Sequence, residues 1–218
     1  MENVISPAVS IILPVFNRRH LVMRAINSVE RQTFADWELL IIDDGSSDGL
    51  ETLIIPQLDA HPQWRYLRHA HRKLAASRNI GLHTALADVV TFLDADDEYL
   101  PAHLELRMRY LRQHDVDLIH GGVVLQGPEE SHWVEDAWHP GQLIHLSECT
   151  IGATLFGYKR VFLESGGFKL LPYSAESELI ERLQKTHHIE RIDFPTYVYH
   201  TGLPDSICTL RKKQSTKH

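Results

Sequence analysis

Three carboxylates in four positions, Asp94, Asp96 and Asp97, follow the run Val89-Val90-Thr91-Phe92-Leu93 within a segment that reads TFLDADDEYLP from Thr91 to Pro101. The five residues before them have the apolar, β-rich composition of a strand buried on both faces. Burying one unpaired carboxylate is costly, and three crowded together repel each other or hold protons unless a cation sits among them. Oxygen ligands with no His or Cys beside them suit Mg²⁺ or Mn²⁺ better than Zn²⁺. In extended geometry Asp94 and Asp96 point the same way, about 6.5 Å apart at roughly 3.3 Å per residue, too far for both to touch one ion unless the chain turns. Asp96 is therefore the expected direct ligand, with Asp94 acting through water or a substrate hydroxyl. The plainer alternative is a solvated acidic loop, with Asp97 or Glu98 near the N-terminus of the next helix and Pro101 in its first turn.

A second chemical candidate lies in Ala175 to Lys185. Leu179, Ile180 and Leu183 define the buried face of a helix there, and Glu176 leans over that same face from one turn earlier. A partly buried carboxylate is one whose pKa can rise toward a value useful for proton abstraction. Glu176 is thus the base candidate, and Glu178, aligned with Arg182 on the outer side, is the salt-bridge partner. Arg78 is the candidate cation, because Ala75, Ala76 and Ser77 leave room for a long side chain to reach the strand ends; the alternative is a surface Arg.

These residues need a frame. Val9 to Val15 reads as a first buried strand whose regular pairing ends at Pro14. Asn17 can cap a helix from Arg18 to Gln32, and Trp37 to Ile42 is a second strand running into the acidic turn Asp43 to Gly49. A helix from Leu50 to Leu58, a strand from Trp64 to Arg68 and a helix from His71 through Leu86 continue the alternation that implies a parallel sheet with right-handed crossovers. In such a sheet ligands gather at the carboxyl ends of the strands, where Asn17, Asp43-Asp44 and Asp94-Asp96 fall. Pro101 to His114 reads as a helix and Val116 to Leu125 as a strand with a bulge at Gly121-Gly122. Gly127 to Pro140 is polar, with Trp133-Val134 in a meander strand and Glu129-Glu130 in its turn; its tryptophans suit either a sugar platform or a core plug. Thr150 to Tyr158 reads as a strand and Arg160 to Glu164 as a short helix. The strands Ile189 to Ile192 and Thr196 to His200 finish the fold, with His200 expected to pack.

The chain of 218 residues, 43% apolar, fits one domain with a sizeable core: about 1–100 for one half, about 101–205 for the other, and a basic, frayed tail from 206 to 218. A formal charge of −7 leaves no broad basic face, so no nucleic acid is expected as a partner. Cys149 and Cys208 have no ligand-like spacing and suit a reduced compartment. No stretch reaches the 18 or so apolar residues of a membrane span, and no basic-then-apolar leader opens the chain, so it is expected to be soluble and cytoplasmic. Its basic tail is compatible with peripheral association at the inner face of a membrane. There is no G-x-G-x-x-G and no G-x-x-x-x-G-K-[ST], so a phosphate-bearing substrate would be neutralised by a metal instead of a glycine cradle. A homodimer is compatible with the sequence.

From Val9 to Ser206 the chain resembles the inverting family 2 glycosyltransferases of GT-A fold. VSIILPVFN is similar to the first strand of that family, DDGSSDG to its nucleotide loop and LAASRNIGL to its Ala-Arg-Asn-x-Gly helix. FLDADDEYLP is similar to its D-x-D signature, and GGF followed by AESELIERL to its acceptor-side helix. The resemblance implies an α/β fold with a Rossmann-like, mostly parallel central sheet flanked by helices and a smaller mixed or antiparallel acceptor-side part. It also implies metal-assisted transfer of a sugar from a nucleotide-diphosphate donor to an acceptor hydroxyl, on a glycan, lipid-linked or small-molecule acceptor, in cell-envelope polysaccharide biosynthesis. By the same resemblance Asp44 bonds the base, with Phe16 and Arg78 lining the same pocket, and Pro14 and Ala95 belong to the nucleotide-sugar site. Asp94 contacts ribose or a metal-bound water, Asp96 holds Mn²⁺ or Mg²⁺ against the diphosphate, and Glu176 stands at the base position. Here the chain departs from the usual Glu-Asp pair, having Ala175-Glu176. The alternatives are a non-catalytic nucleotide-sugar or glycan-binding relative, or a metal-dependent nucleotidyl- or phosphotransferase.

Overall fold

The structure is a computed structural model that describes residues 6–139 and 141–215. Its frame is a seven-stranded sheet ordered β11 (Ile189–Arg191), β6 (Leu118–His120), β10 (Phe156–Tyr158), β4 (Val89–Phe92), β1 (Val9–Val15), β2 (Trp37–Asp43) and β3 (Trp64–Arg68). Strand β10 is antiparallel to both neighbours, and every other pair is parallel. Strands β1, β2 and β4 are buried throughout, which explains their mostly apolar composition; the polar exceptions, Ser10, Glu38, Asp43 and Thr91, are buried too.

Successive side chains of β1 go to opposite layers. Ile11 and Leu13 pack with Val22, Ile26 and Val29 of α1 (Val22–Glu30) and Leu104, Met108 and Leu111 of α4 (His103–Gln113). Ile12 packs instead with Leu82 of α3 (Lys73–Thr84), Val161 and Phe162 of α5 (Lys159–Glu164), and Leu179 and Leu183 of α6 (Ala175–Leu183). Both faces of the sheet are therefore covered, the arrangement that brings the strand ends together at one rim.

Several expected elements differ. The stretch read as one bulged strand is two strands in different sheets: β6, and β7 (Val123–Gln126), which pairs with β12 (Tyr197–His200). Gly121 and Gly122, at φ of 96° and 72°, turn the chain out of the large sheet. A Cβ at Gly122 would sit 2.1 Å from the Phe194 carbonyl oxygen, so only glycine makes the crossing. Strand β12 also pairs with β5 (Glu98–Tyr99), where a helix N-terminus was the alternative reading. Of the strand read over Thr150 to Tyr158, only β10 is extended, and Gly152–Thr154 is a 3₁₀ turn.

Pairing of β1 with β2 runs on through Pro14 to Val15, whereas its pairing with β4 stops at Ile12 opposite Phe92. The proline, lacking an N–H, therefore stands where β4 has already left. The helix α2 (Leu50–Ile54) passes into a 3₁₀ helix, Ile55–Ala60, at Pro56. Trp133–Glu135 forms β8, as expected, and pairs with β9 (Leu143–His145), which sequence reading missed. The tail expected to fray is helical over α7 (Ile207–Ser215), with Arg211 on Glu135 at 2.8 Å and over the Tyr173 ring at 4.1 Å. Residues 216–218 of that expectation lie outside the described residues.

Candidate active site

At the ends of β1 and β2, Asn17 does not cap α1. At φ of 51° its Oδ1 accepts the Ser47 N–H at 2.8 Å, and its own N–H donates to Ser46 Oγ at 3.0 Å, which fastens the acidic turn to β1. Within that turn Asp43 is fully buried and accepts from the Ser46 N–H and the Tyr66 hydroxyl. Asp44, also buried, accepts the N–H groups of Arg72 at 2.6 Å and Lys73 at 2.8 Å, with His71 Nδ1 at 2.8 Å from its carboxylate. Phe16 stacks on His71 with ring centroids 4.0 Å apart. Of the three residues expected at a nucleobase, Asp44 and Phe16 thus share one cluster, whereas Arg78 pairs with Asp94 and Glu176; the carboxylate of Asp44 also anchors the start of α3, the helix that carries Arg78. Pro14 and Ala95 are buried, Ala95 within the core.

The acidic motif is a turn, since the Asp97 N–H reaches the Asp94 carbonyl at 3.1 Å, so the extended spacing expected between Asp94 and Asp96 does not apply. Asp97 points inward and caps no helix. It accepts the Tyr197 hydroxyl at 2.7 Å and the His200 N–H at 2.8 Å. Burial, with repulsion from Asp96 and Asp94, pushes its carboxyl well above the ordinary range. His200 packs, as expected, and its ring is bonded to Glu98 at 2.9 Å.

Asp94 and Asp96 remain partly open, with side chains 24% and 22% exposed. Burial and the charge of Asp94 raise the Asp96 carboxyl, against the pull of Arg18 and Arg24. Arg18 Nε lies 3.6 Å from Asp96, and the same guanidinium holds Asp205 just before α7.

Arg78 is the centre of the site, only 2% exposed, so the surface reading is excluded. It donates to Asp94 at 3.0 Å and stands 3.9 Å from Glu176 Oε2, with its guanidinium over the rings of Phe92 and Phe168. Burial disfavours its charge, but Asp94 and Glu176 more than offset this and the guanidinium is held protonated. Burial likewise raises the Glu176 carboxyl, Arg78 opposes the rise and Asp94 adds to it. Glu178 pairs with Arg182 at 3.0 Å, as expected, and also with Lys169 at 2.6 Å.

Gly152 was missed. A Cβ there would lie 2.4 Å from Arg78 Nη1 and 3.1 Å from Glu176 Cβ. The flexible end of Arg78 is what would yield, so Gly152→Ala is expected to disturb this ion-pair geometry more than the fold. A misplacement of about 1 Å can cost roughly 10²-fold in rate, whereas overpacking costs about 1–3 kcal/mol of stability. Turnover measurements beside thermal melts check this; full activity would show that Arg78 tolerates the shift.

Among the described residues no group of three His, Cys, Asp or Glu side chains converges on a metal position. What Asp94 and Asp96 offer is a crowded oxygen-only pair, with Asp96 raised by burial and by the charge of Asp94. A hard divalent ion that keeps waters and takes further ligands from substrate phosphates fits that donor set. A cavity of about 250 Å³ lies between β8, the end of β12 and α7, lined by Trp133, Tyr199, His200, Cys208 and Thr209 among others. Trp133 and Trp138 are 44% and 59% exposed, so neither is a core plug.

The family model described as Glycosyl transferase family 2 matches residues 10–179. Among curated proteins, the UDP-Glc:alpha-D-GlcNAc-diphosphoundecaprenol beta-1,3-glucosyltransferase WfgD of Escherichia coli is 34% identical over 114 residues, covering 52% of this chain and 44% of its own. Staphylococcus aureus TarS 1-349 in complex with UDP-GlcNAc superimposes with a TM-score of 0.73 at 18% identity, covering 91% of this chain and 60% of that one. The mannosyltransferase PcManGT of Pyrobaculum calidifontis, in complex with GDP-Man and Mn²⁺, gives 0.69 at 19% identity, covering 90% and 57%. The chain thus spans less than half of that curated relative and about 60% of the solved structures it resembles.

Proposed function

The chain belongs to glycosyl transferase family 2 and has the GT-A fold, and on that premise we propose that it moves a sugar from a nucleotide-diphosphate donor to an acceptor hydroxyl with inversion. The observation that carries this reading is the buried cation Arg78, which touches both the donor-side carboxylate Asp94 and the base candidate Glu176. Asp44, His71 and Phe16 form the base-binding end of the donor groove. Asp96, with Asp94 beside it, would hold Mn²⁺ or Mg²⁺; such an ion, when bound, supplies Lewis-acid stabilisation of the leaving diphosphate.

Glu176 takes the proton of the acceptor hydroxyl as that oxygen bonds to the anomeric carbon, while the bond from that carbon to the diphosphate breaks and its electron pair leaves with the phosphate. Arg78 orients both carboxylates, and because it is buried its charge acts at low screening. The exposed tryptophans and the cavity beside α7 suit a sugar-bearing acceptor. The curated relative is named for a diphosphoundecaprenol-linked acceptor, which supports a lipid-linked glycan here and a place in envelope polysaccharide synthesis at the inner face of a membrane. Among the described residues no helix is long and apolar enough to cross a bilayer.

A thermal-shift screen of nucleotide-sugars with Mn²⁺ tests the donor. Ligand at about 100 times its Kd should add roughly 2.7 kcal/mol of apparent stability, and EDTA should remove it. No shift with any nucleotide-sugar would defeat the assignment.

A further inference from the structure

Next to Arg78 on α3 stands Asn79, a residue with no part in the proposed transfer so far. Its Nδ2 donates to the Phe168 carbonyl at 2.8 Å, and its Oδ1 accepts the Phe168 N–H at 2.8 Å, across 89 positions of the chain. A side-chain amide presents a donor and an acceptor on one planar group, so an Asp or Leu of the same shape cannot make both bonds. The turn that Asn79 holds, residues 165–168, is fastened from its other side by α6. Arg182 of that helix donates to the Ser165 carbonyl and, at 2.8 Å, to the Gly167 carbonyl. Gly167 has φ of 72°, and a Cβ there would lie 2.5 Å from Asn79 Oδ1, so the close approach needs glycine. The ring of Phe168, buried beside the turn, then lies under the Arg78 guanidinium at 5.4 Å.

On the reading that makes Glu176 the base, we infer that Asn79 is a positioning residue for the transfer: by pinning the Gly167-Phe168 turn between α3 and α6, it sets the separation of Arg78 from Glu176.

That separation has no bond of its own to fix it. Glu176 Oε2 stands 3.9 Å from Arg78 Nη1, within ion-pair range but too long for a hydrogen bond, whereas Asp94 accepts a hydrogen bond from the same guanidinium at 3.0 Å. The distance from Arg78 to Glu176 therefore follows from where α6 lies against α3. Leu179, Ile180 and Leu183 bury the inner face of α6, but apolar burial is non-directional. The path from Asn79 through the turn to Arg182 is made of oriented hydrogen bonds, and it joins the two helices that carry the pair. In a buried site the attraction between charges is weakly screened and changes steeply with distance. A small slide of α6 thus alters how Arg78 divides its charge between Asp94 and Glu176.

The test uses the full chain with Mn²⁺ and whichever of the UDP-, GDP-, ADP-, CDP- and dTDP-sugars raises its Tm most, with water as the acceptor probe and release of nucleoside diphosphate as the readout. Asn79→Ala is expected to lower the rate at saturating donor by roughly 10²-fold, the cost of a displacement of about 1 Å, with donor affinity within about twofold of the parent. Loss of two hydrogen bonds should lower the Tm by roughly 4–8 °C, well short of unfolding at the assay temperature. In a Glu176→Gln background the same substitution should cost less than about threefold, because the group it positions is already gone; a merely structural role would cost the same factor in both backgrounds. A crystal structure of Asn79→Ala should show the Arg78–Glu176 distance changed by roughly 1 Å. Should that variant not fold, Asn79→Asp, which keeps the acceptor for the Phe168 N–H, takes its place. An unchanged Arg78–Glu176 distance, an undiminished rate, or an equal loss in both backgrounds would overturn the inference while Glu176→Gln alone still loses turnover. Full turnover in Glu176→Gln would instead defeat the reading of Glu176 as the base, and the role of Asn79 with it.

Discussion

Glu176→Gln is expected to leave nucleotide-sugar affinity intact while transfer falls by about 10²–10⁴-fold, the usual contribution of a positioned general base. The amide keeps the shape of the side chain but cannot take the proton of the acceptor hydroxyl. The pH dependence should change with it. Burial raises the Glu176 carboxyl and Asp94 adds to the rise, with Arg78 opposing, so the acidic limb of kcat/KM should lie above the ordinary glutamate range and vanish in the variant.

Stability should move the other way. A carboxyl whose folded pKa is raised binds its proton more tightly in the native state. Its contribution is therefore present below the unfolded value and is lost as pH rises through the folded one. At neutral pH the glutamine variant should melt no lower than the parent chain, while losing transfer. Titration of donor binding, single-turnover transfer and melts across pH measure the three quantities separately, and unchanged turnover would remove Glu176 from the mechanism.

Asp96→Ala should abolish metal-dependent donor binding. The loss should exceed the roughly 10–100-fold that removing an outer-shell partner of a metal costs, because Asp96 would be a direct ligand. The fold should not suffer in proportion. Asp96 is raised by burial and by its neighbour Asp94, so deleting it relieves repulsion, and Arg18 keeps Asp205 as a partner. Calorimetry of nucleoside diphosphate with and without Mn²⁺ is the measurement. Tight binding that survives both the substitution and EDTA would detach the diphosphate from the acidic motif.

How much of this could be read from the chain depended on the range of the interactions involved. The strands β1, β2 and β4 were legible within a residue or so because strands buried on both faces are mostly apolar, and β3 followed from the alternation of strand and helix. Asp94, Asp96, Arg78 and Glu176 were legible as chemical candidates, because ionisable residues beside buried apolar runs need partners. That Arg78 joins Asp94 to Glu176 was not, since Glu176 is contributed by a helix far along the chain. Tyr197, which bonds Asp97 across 100 residues, gave no local signal at all. Neither did the bridge from Arg18 to Asp205, 187 residues apart, nor the requirement for glycine at Gly152.

Composition and periodicity determined on their own that the chain forms a covered, mostly parallel sheet and that its carboxylates collect at one rim, because hydrophobic burial and strand direction act through near neighbours. Tertiary structure alone decided which carboxylates stay partly open and which is turned inward, which helix lends its glutamate to Arg78, and where Gly121-Gly122 divides the two sheets. Those outcomes depend on contacts between distant segments, and burial in three dimensions, not residue type, sets the charge and partners of each group.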